Sequence, residues 1–188
     1  MIDRPILFSG PMVRAILDDL KTHTRRVAKL NAAGRVFLRE RNWHPHDQAA
    51  VLACPYGKVG DRLWVRETWR VTGGGAPMKI RELNSAYHND LQFRADRDES
   101  YIDKYHPSIF MPRWASRITL EIVNVRIERL QDISRGDCMA EGCPFPNMAD
   151  GPDPRQWYRD LWDSINGKTH PWSSNPFVWV IEFKRITP

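Results

Sequence analysis

The sequence predicts an α+β domain, a small β-barrel with helices on its flanks. Three observations carry this expectation. Arg117 to Leu130 is a long apolar strand whose alternation slips by one residue near Ile122 and Val123, a β-bulge of the kind that bends a barrel strand. Two amphipathic helical segments stand among the strands, outside the regular strand–helix alternation of a doubly wound parallel sheet. The other strand signals are short, and turn residues separate them.

Taken in order, residues 11–20 form the first helix. Met12, Val13, Ile16, Leu17 and Leu20 share one face, Arg14, Asp18 and Asp19 the other, and Pro11 suits the first helical position after a Ser9 or Gly10 cap. Residues 30–58 have no clean period and read mostly as loop. Gly60-Asp61 turns the chain into a strand from Arg62 to about Trp69, with Leu63, Val65 and Glu67 in one phase. Residues 72–90, with Gly73-Gly74-Gly75 and Pro77, read as an exposed insertion. Leu91–Ala95 is a short strand, and 96–106 is polar. After the bulged strand, Ser134 and Asp137 approximate a capping box for a short helix that Gly142 ends. The proline-rich stretch 143–154 is a loop. Asp153-Pro154 opens the second amphipathic helix, its face made by Trp157, Tyr158, Leu161, Trp162 and Ile165, and Asn166-Gly167 closes it. Phe177–Ile186 is the last strand.

At 188 residues the chain suits one domain spanning 1–188. Its start shows no basic stretch followed by an apolar run, and no segment approaches the ~20 apolar residues of a membrane helix, so the expected compartment is cytoplasmic, with no membrane partner. Three cysteines, Cys54, Cys138 and Cys143, suggest reduced thiols. Neither Cys54 with His44 and His46 nor Cys138 with Cys143 has the spacing of a structural zinc site, so no metal and no cofactor is expected. The net charge of +5 favours an anionic partner. Lys21, Arg25, Arg26 and Lys29 fall within nine residues that hold no acid, a run that also suits a solvated face.

Glu67 shares the phase of Leu63 and Val65. A carboxylate on an inward face needs a partner, and its pKa tends to rise, which suits a general acid or base. Lys21 and Thr24 are three apart, so their side chains meet only if the backbone curls after Leu20. A lysine can take the proton of a threonine hydroxyl only when its own pKa falls, which burial and the adjacent arginines would bring about.

Three groups of residues carry a family resemblance. Ile6-Leu7-Phe8-Ser9 through Lys21-Thr22-His23-Thr24-Arg25-Arg26 is the first, Gly60 through Trp69 the second, and Met111-Pro112-Arg113-Trp114-Ala115-Ser116-Arg117 the third. Together with Leu130–Ser134, Leu161–Gly167 and Asn175–Val180 they resemble the ASCH domain family, above all its longer members common in phage and prophage genomes. The variable parts are then 30–53, 72–105 and 143–154. The resemblance implies a PUA-like β-barrel with flanking helices, a fold that handles RNA. It also implies the signature of the small amidohydrolases that deacylate N4-acetylcytidine, onto which Lys21, Thr24, Arg26 and Glu67 fall.

The expected function is hydrolysis of the exocyclic amide of an N4-acylated cytosine nucleoside. Thr24 attacks, Lys21 accepts its proton, Glu67 serves the leaving nitrogen, and Arg26 stabilises the oxyanion. In a variant, Glu67 activates water and Thr24 only positions the substrate. Trp69 and Trp114 are candidates for stacking on the base, with core packing as their alternative. A PUA-like RNA-binding module without catalysis is the second reading, and a ribonuclease using His23, His44 or His46 the third. The expected partner is a neutral nucleoside, with weak, salt-sensitive RNA binding at most.

Overall fold

A computed structural model of the chain describes residues 1–38, 41–72, 79–97, 104–145 and 151–186. Its frame is a five-stranded mixed sheet in the order β1-β5-β8-β9-β2. These strands are β1 (Asp3–Leu7), β2 (His23–Val27), β5 (Arg62–Arg66), β8 (Thr119–Arg129) and β9 (Phe177–Ile186). Strand β1 runs parallel to β5, and the other pairings are antiparallel. The expected slip in β8 is present as a register shift between Ile122 and Asn124. Two small hairpins are added, β3 (Val36–Leu38) with β4 (Arg41–Trp43), and β6 (Trp69–Val71) with β7 (Leu91–Phe93). The α-helices are α1 (Gly10–Leu17), α2 (Gln48–Leu52), α3 (Arg135–Ala140) and α4 (Pro154–Asn166).

Strands β1 and β2 lie at opposite ends of the order, and no described ladder joins them. The described ladders therefore form a five-stranded sheet, and no closure into the expected small barrel is found among them. One side chain ties the two edges. Arg26 on β2 donates through Nη2 to the Leu7 carbonyl on β1 at 2.6 Å, its guanidinium 5.3 Å from the Phe8 ring centre.

Strand β9 is buried on both faces because each face carries a layer. Phe177, Trp179, Ile181 and Phe183 join Leu63, Val65, Leu120 and Ile122 in the main core, closed by Val13 and Ile16 of α1. Val178 and Val180 face Tyr158 and Trp162 of α4 and Cys138 of α3. A third cluster holds Trp69, Leu83, Phe93, Met111 and Ala115.

Several expectations change. Residues 30–58 contain the β3–β4 hairpin and α2, elements of three to five residues that are too short to print a period. Strand β5 stops at Arg66, and Trp69 begins a separate strand. The strand at Leu91 ends at Phe93, where a 3-10 turn takes over. Residues 80–90 form two 3-10 turns and bury Leu83, so this part of the expected insertion supplies core, while the triple glycine lies outside the described residues. In α4 the predicted face buries Tyr158 and Trp162 but leaves Ile165 exposed. Among the described residues, no helix is long and apolar enough to cross a membrane.

Candidate active site

The chain turns at the end of α1, ahead of Lys21, and no contact between the Lys21 and Thr24 side chains is among those described. Asp19 adopts a left-handed φ of 56°, and the N–H groups of Leu20 and Lys21 both donate to Ala15 O, at 2.8 and 2.9 Å. This turns the chain against the C-terminal end of α3, where Thr22 N donates to Ala140 O at 2.8 Å. Lys21 is 2% exposed. Its Nζ donates to Glu141 Oε2 at 2.6 Å and to the Glu141 carbonyl at 2.9 Å. The other carboxylate oxygen, Oε1, accepts from Arg25 Nη1 at 3.1 Å. Arg25 also donates to Glu128 Oε1 from Nε and Nη2, at 3.1 and 2.7 Å. One buried carboxylate thus spans two buried cations, and β8 supplies a second acid to Arg25.

Glu141 is held there by local backbone chemistry. Ser134 and Asp137 form the expected capping box, and Arg126 on β8 holds Asp137 at 2.8 Å, fixing the start of α3. At its end, Gly142 N bonds Met139 O at 2.9 Å and Cys143 N bonds Cys138 O at 3.3 Å, the paired bonds of a Schellman motif. Gly142 has φ of 94°, and a Cβ there would lie 3.0 Å from Ala15 Cβ and 3.3 Å from Lys21 Cβ. Only glycine fits both the conformation and the approach.

Burial disfavours the ammonium of Lys21 and outweighs the attraction of Glu141, with Arg26 and Arg25 adding repulsion, so its pKa lies below the ordinary lysine value. Beside this cluster is a cavity of about 310 Å³. Thr24, Arg25, Arg26 and Glu141 line one side, Met12 and Tyr56 another, and α4 supplies Tyr158 and Trp162. Arg26 Nε is buried without a hydrogen-bond partner among the described residues.

Glu67 lies elsewhere. It follows β5, is 1% exposed, and accepts from Arg117 Nε and Nη2 at 2.9 and 3.0 Å. Arg117 in turn holds Asp96 with two bonds of 2.8 Å. Burial raises the pKa of Glu67 despite Arg117. The inward phase read from the sequence is therefore right even though the strand has ended. No contact of Glu67 with Lys21, Thr24 or Arg26 is among those described, and Glu67 does not line the cavity. The carboxylate beside Lys21 is Glu141, which the sequence reading misses. A signal for it exists: an acid at a helix C-terminus opposes the helix dipole, so its presence there asks for a tertiary cation.

Trp69 and Trp114 do not line the cavity either, and Lys21 is not among its lining residues but bonds Glu141, which is. Trp69 is fully buried and meets Trp114 edge-on at 5.9 Å in the third core cluster, so the core-packing alternative describes both. His44 and His46 lie ring to ring at 5.2 Å, while His23 faces Glu182 at 3.5 Å, and no described contact joins the three. Cys54, Cys138 and Cys143 are buried free thiols. Among the described residues no group of three or more His, Cys, Asp or Glu is placed to hold a metal ion.

No family model matches the chain, and no match is found among curated proteins. Two solved structures are similar to it. An ASCH domain from Lactobacillus crispatus JV V101 is 10% identical with a TM-score of 0.46, the match covering 98% of this chain and 79% of that one. A DUF984-family protein from Enterococcus faecalis V583 is 8% identical with a TM-score of 0.44, covering 99% of this chain and 80% of that one. At these identities and TM-scores no residue role is carried over from either structure.

Proposed function

We propose that the protein is an amidohydrolase that removes the acyl group from N4-acylated cytosine nucleosides, with Lys21, Thr24 and Glu141 as its working residues. The observation that carries this reading is a fully buried lysine, its proton disfavoured, bonded to a buried glutamate at the wall of a cavity that Thr24 also lines. The Lys–Thr–Arg spacing similar to that of the N4-acetylcytidine amidohydrolases supplies the substrate class. A cavity of about 310 Å³ suits a small, flat molecule with polar edges.

In this mechanism neutral Lys21 takes the proton of Thr24 Oγ1 as that oxygen attacks the acyl carbonyl. The carbonyl oxygen becomes an oxyanion facing Arg26, whose free Nε can donate to it. Collapse breaks the C–N bond, and Lys21 returns the proton to the departing N4 nitrogen. Water then attacks the acyl carbonyl on Thr24 as Lys21 takes its proton; the bond to Oγ1 breaks, Lys21 returns that proton to Oγ1, and the acyl group leaves as a carboxylic acid. Glu141 orients Lys21 and balances its charge while it is protonated. Incubating the purified protein with N4-acetylcytidine tests the reading: cytidine and acetate should form, and Lys21→Ala should abolish their formation in a folded protein. Absence of cytidine with the wild-type protein would overturn it.

A second reading, an RNA-binding module, draws support from the outer sheet face. There Arg66 and the exposed Arg113 lie 4.7 and 5.9 Å from the ring centre of Trp64, which is itself buried beneath them. Tight, steeply salt-dependent binding of single-stranded RNA without turnover would favour it.

A further inference from the structure

Strand β2 lies at the edge of the sheet, and the bonds at its two ends determine which way each peptide faces. Ala28 N donates to Phe177 O at 2.8 Å, and Phe183 N donates to Thr22 O at 2.9 Å. With Thr24 opposite Ile181 and Arg26 opposite Trp179, it is Thr24 and Arg26 that exchange main-chain bonds with β9. The N–H and C=O of Arg25 and Val27 therefore point away from β9, to the free side of the strand. At the start of β2 that side is closed, because Lys21 and Thr22 pair with the end of α3. Past Glu141, no main-chain partner for Arg25 or Val27 is found among the described residues. Such groups ask for a partner.

The cavity lies on this free side. Side chains alternate across the strand, so Thr24 and Arg26 belong to the face of Ile181 and Trp179, and Arg25 and Val27 to the face of Val180 and Val178. Residues of both faces line the same cavity, which therefore straddles the strand edge. Its aromatic walls are split in the same way. Tyr56 packs against the main core on one side of the sheet, and Tyr158 belongs to the α4 layer on the other.

We propose that the bare edge of β2 reads the substrate's ring. The outward N–H and C=O groups of Arg25 and Val27 hydrogen-bond a planar heterocycle that carries an acceptor beside a donor, held in the plane of the sheet as an added strand would be. Tyr56 and Tyr158 cover the two ring faces. A cytosine ring fits, with its N3 acceptor beside the exocyclic N–H. Only the choice of cytosine rests on the amidohydrolase reading.

The N–H of Val27 can be deleted without touching the ladder to β9, by a backbone ester at Val27 or by Val27→Pro, which an edge strand tolerates. Val27→Ala keeps the N–H. In calorimetric titrations with cytidine, the ester and proline variants should bind about tenfold more weakly than wild type, the scale of one lost hydrogen bond. Val27→Ala should stay within about threefold of wild type. Unchanged affinity in the folded ester variant, an equal loss in Val27→Ala, or no binding of cytidine by wild type would overturn the proposal. Cytidine bound with the expected pattern, but with no cleavage of N4-acetylcytidine, would remove the amidohydrolase reading and leave the edge reading standing.

Discussion

Two carboxylates in this protein are almost equally buried, and their neighbourhoods differ in a way that separates chemistry from architecture. Glu67 is clamped by the planar fork of Arg117, which passes on to Asp96 near the surface. A guanidinium does not give up its proton, so this chain of charges is static and serves to anchor the third core cluster. Glu141 instead meets a lysine, whose proton burial already disfavours, and does so at the wall of a cavity. Burial alone does not make an acid–base site. A partner able to exchange a proton, with space beside it, does.

Glu141→Ala is the strongest way to break this comparison. It leaves Lys21 and Arg25 buried without their shared acid, a loss of about 3–5 kcal/mol, and deacylation should fall by about two orders of magnitude or more. Urea titration and cytidine release check the two halves. Next in size is Lys21→Met, which should lower turnover by a similar factor at little cost in stability, since it removes an expensive buried charge while Arg25 keeps Glu141 paired. A variant that turns over normally would strip Lys21 of its role.

Gly142→Ala should cost about 1–3 kcal/mol, because it forces a side chain into a left-handed φ and against Ala15. Its turnover should drop as Glu141 shifts, which thermal melts and kinetics would show together. Glu67→Gln sharpens the contrast from the other side: a stability loss of about 1–2 kcal/mol with turnover within about threefold of wild type. If it instead cripples turnover as Glu141→Ala does, the two regions are not functionally distinct.

The smallest effects are those of pH. Glu67 has a raised folded pKa, so its contribution to stability is complete below its ordinary value and is lost as pH rises through the folded one. Denaturation of wild type and Glu67→Gln across the mildly acidic range should show that decline only in wild type. For Lys21 the folded pKa is lowered, so stability is recovered as pH rises through it, and turnover should climb over the same interval.

Much of the frame was legible because long elements print their period. The bulge in β8 and the Ser134 capping box follow from spacing, as does the first helix, although it ends at Leu17 rather than at residue 20 and leaves Leu20 exposed. The short hairpin at 36–43 and α2 carry too few residues for that signal. Lys21, Thr24 and Arg26 stand out in the sequence because they share one stretch of chain; in the structure Thr24 and Arg26 line the cavity and Lys21 bonds Glu141. Glu141 does not stand out in that way, since it reaches Lys21 across 120 residues and only the end of α3 brings them together. The burial of Glu67 is legible in its phase, but its partner Arg117 is not, because phase reports the face of a strand and not what waits there.

The central place of β9 in the sheet has a consequence for how the protein is made. Strand β2 pairs only with β9, about 150 residues further along, and at roughly 5–20 residues per second the ribosome needs some ten to thirty seconds to cover that interval. Until then Lys21 and Thr24 belong to a segment without a sheet partner, and the charges that later neutralise one another are still hydrated. This region is therefore among the last parts of the molecule to assemble, and a nascent chain stopped before Phe177 would carry Lys21 and Thr24 with no strand to hold them.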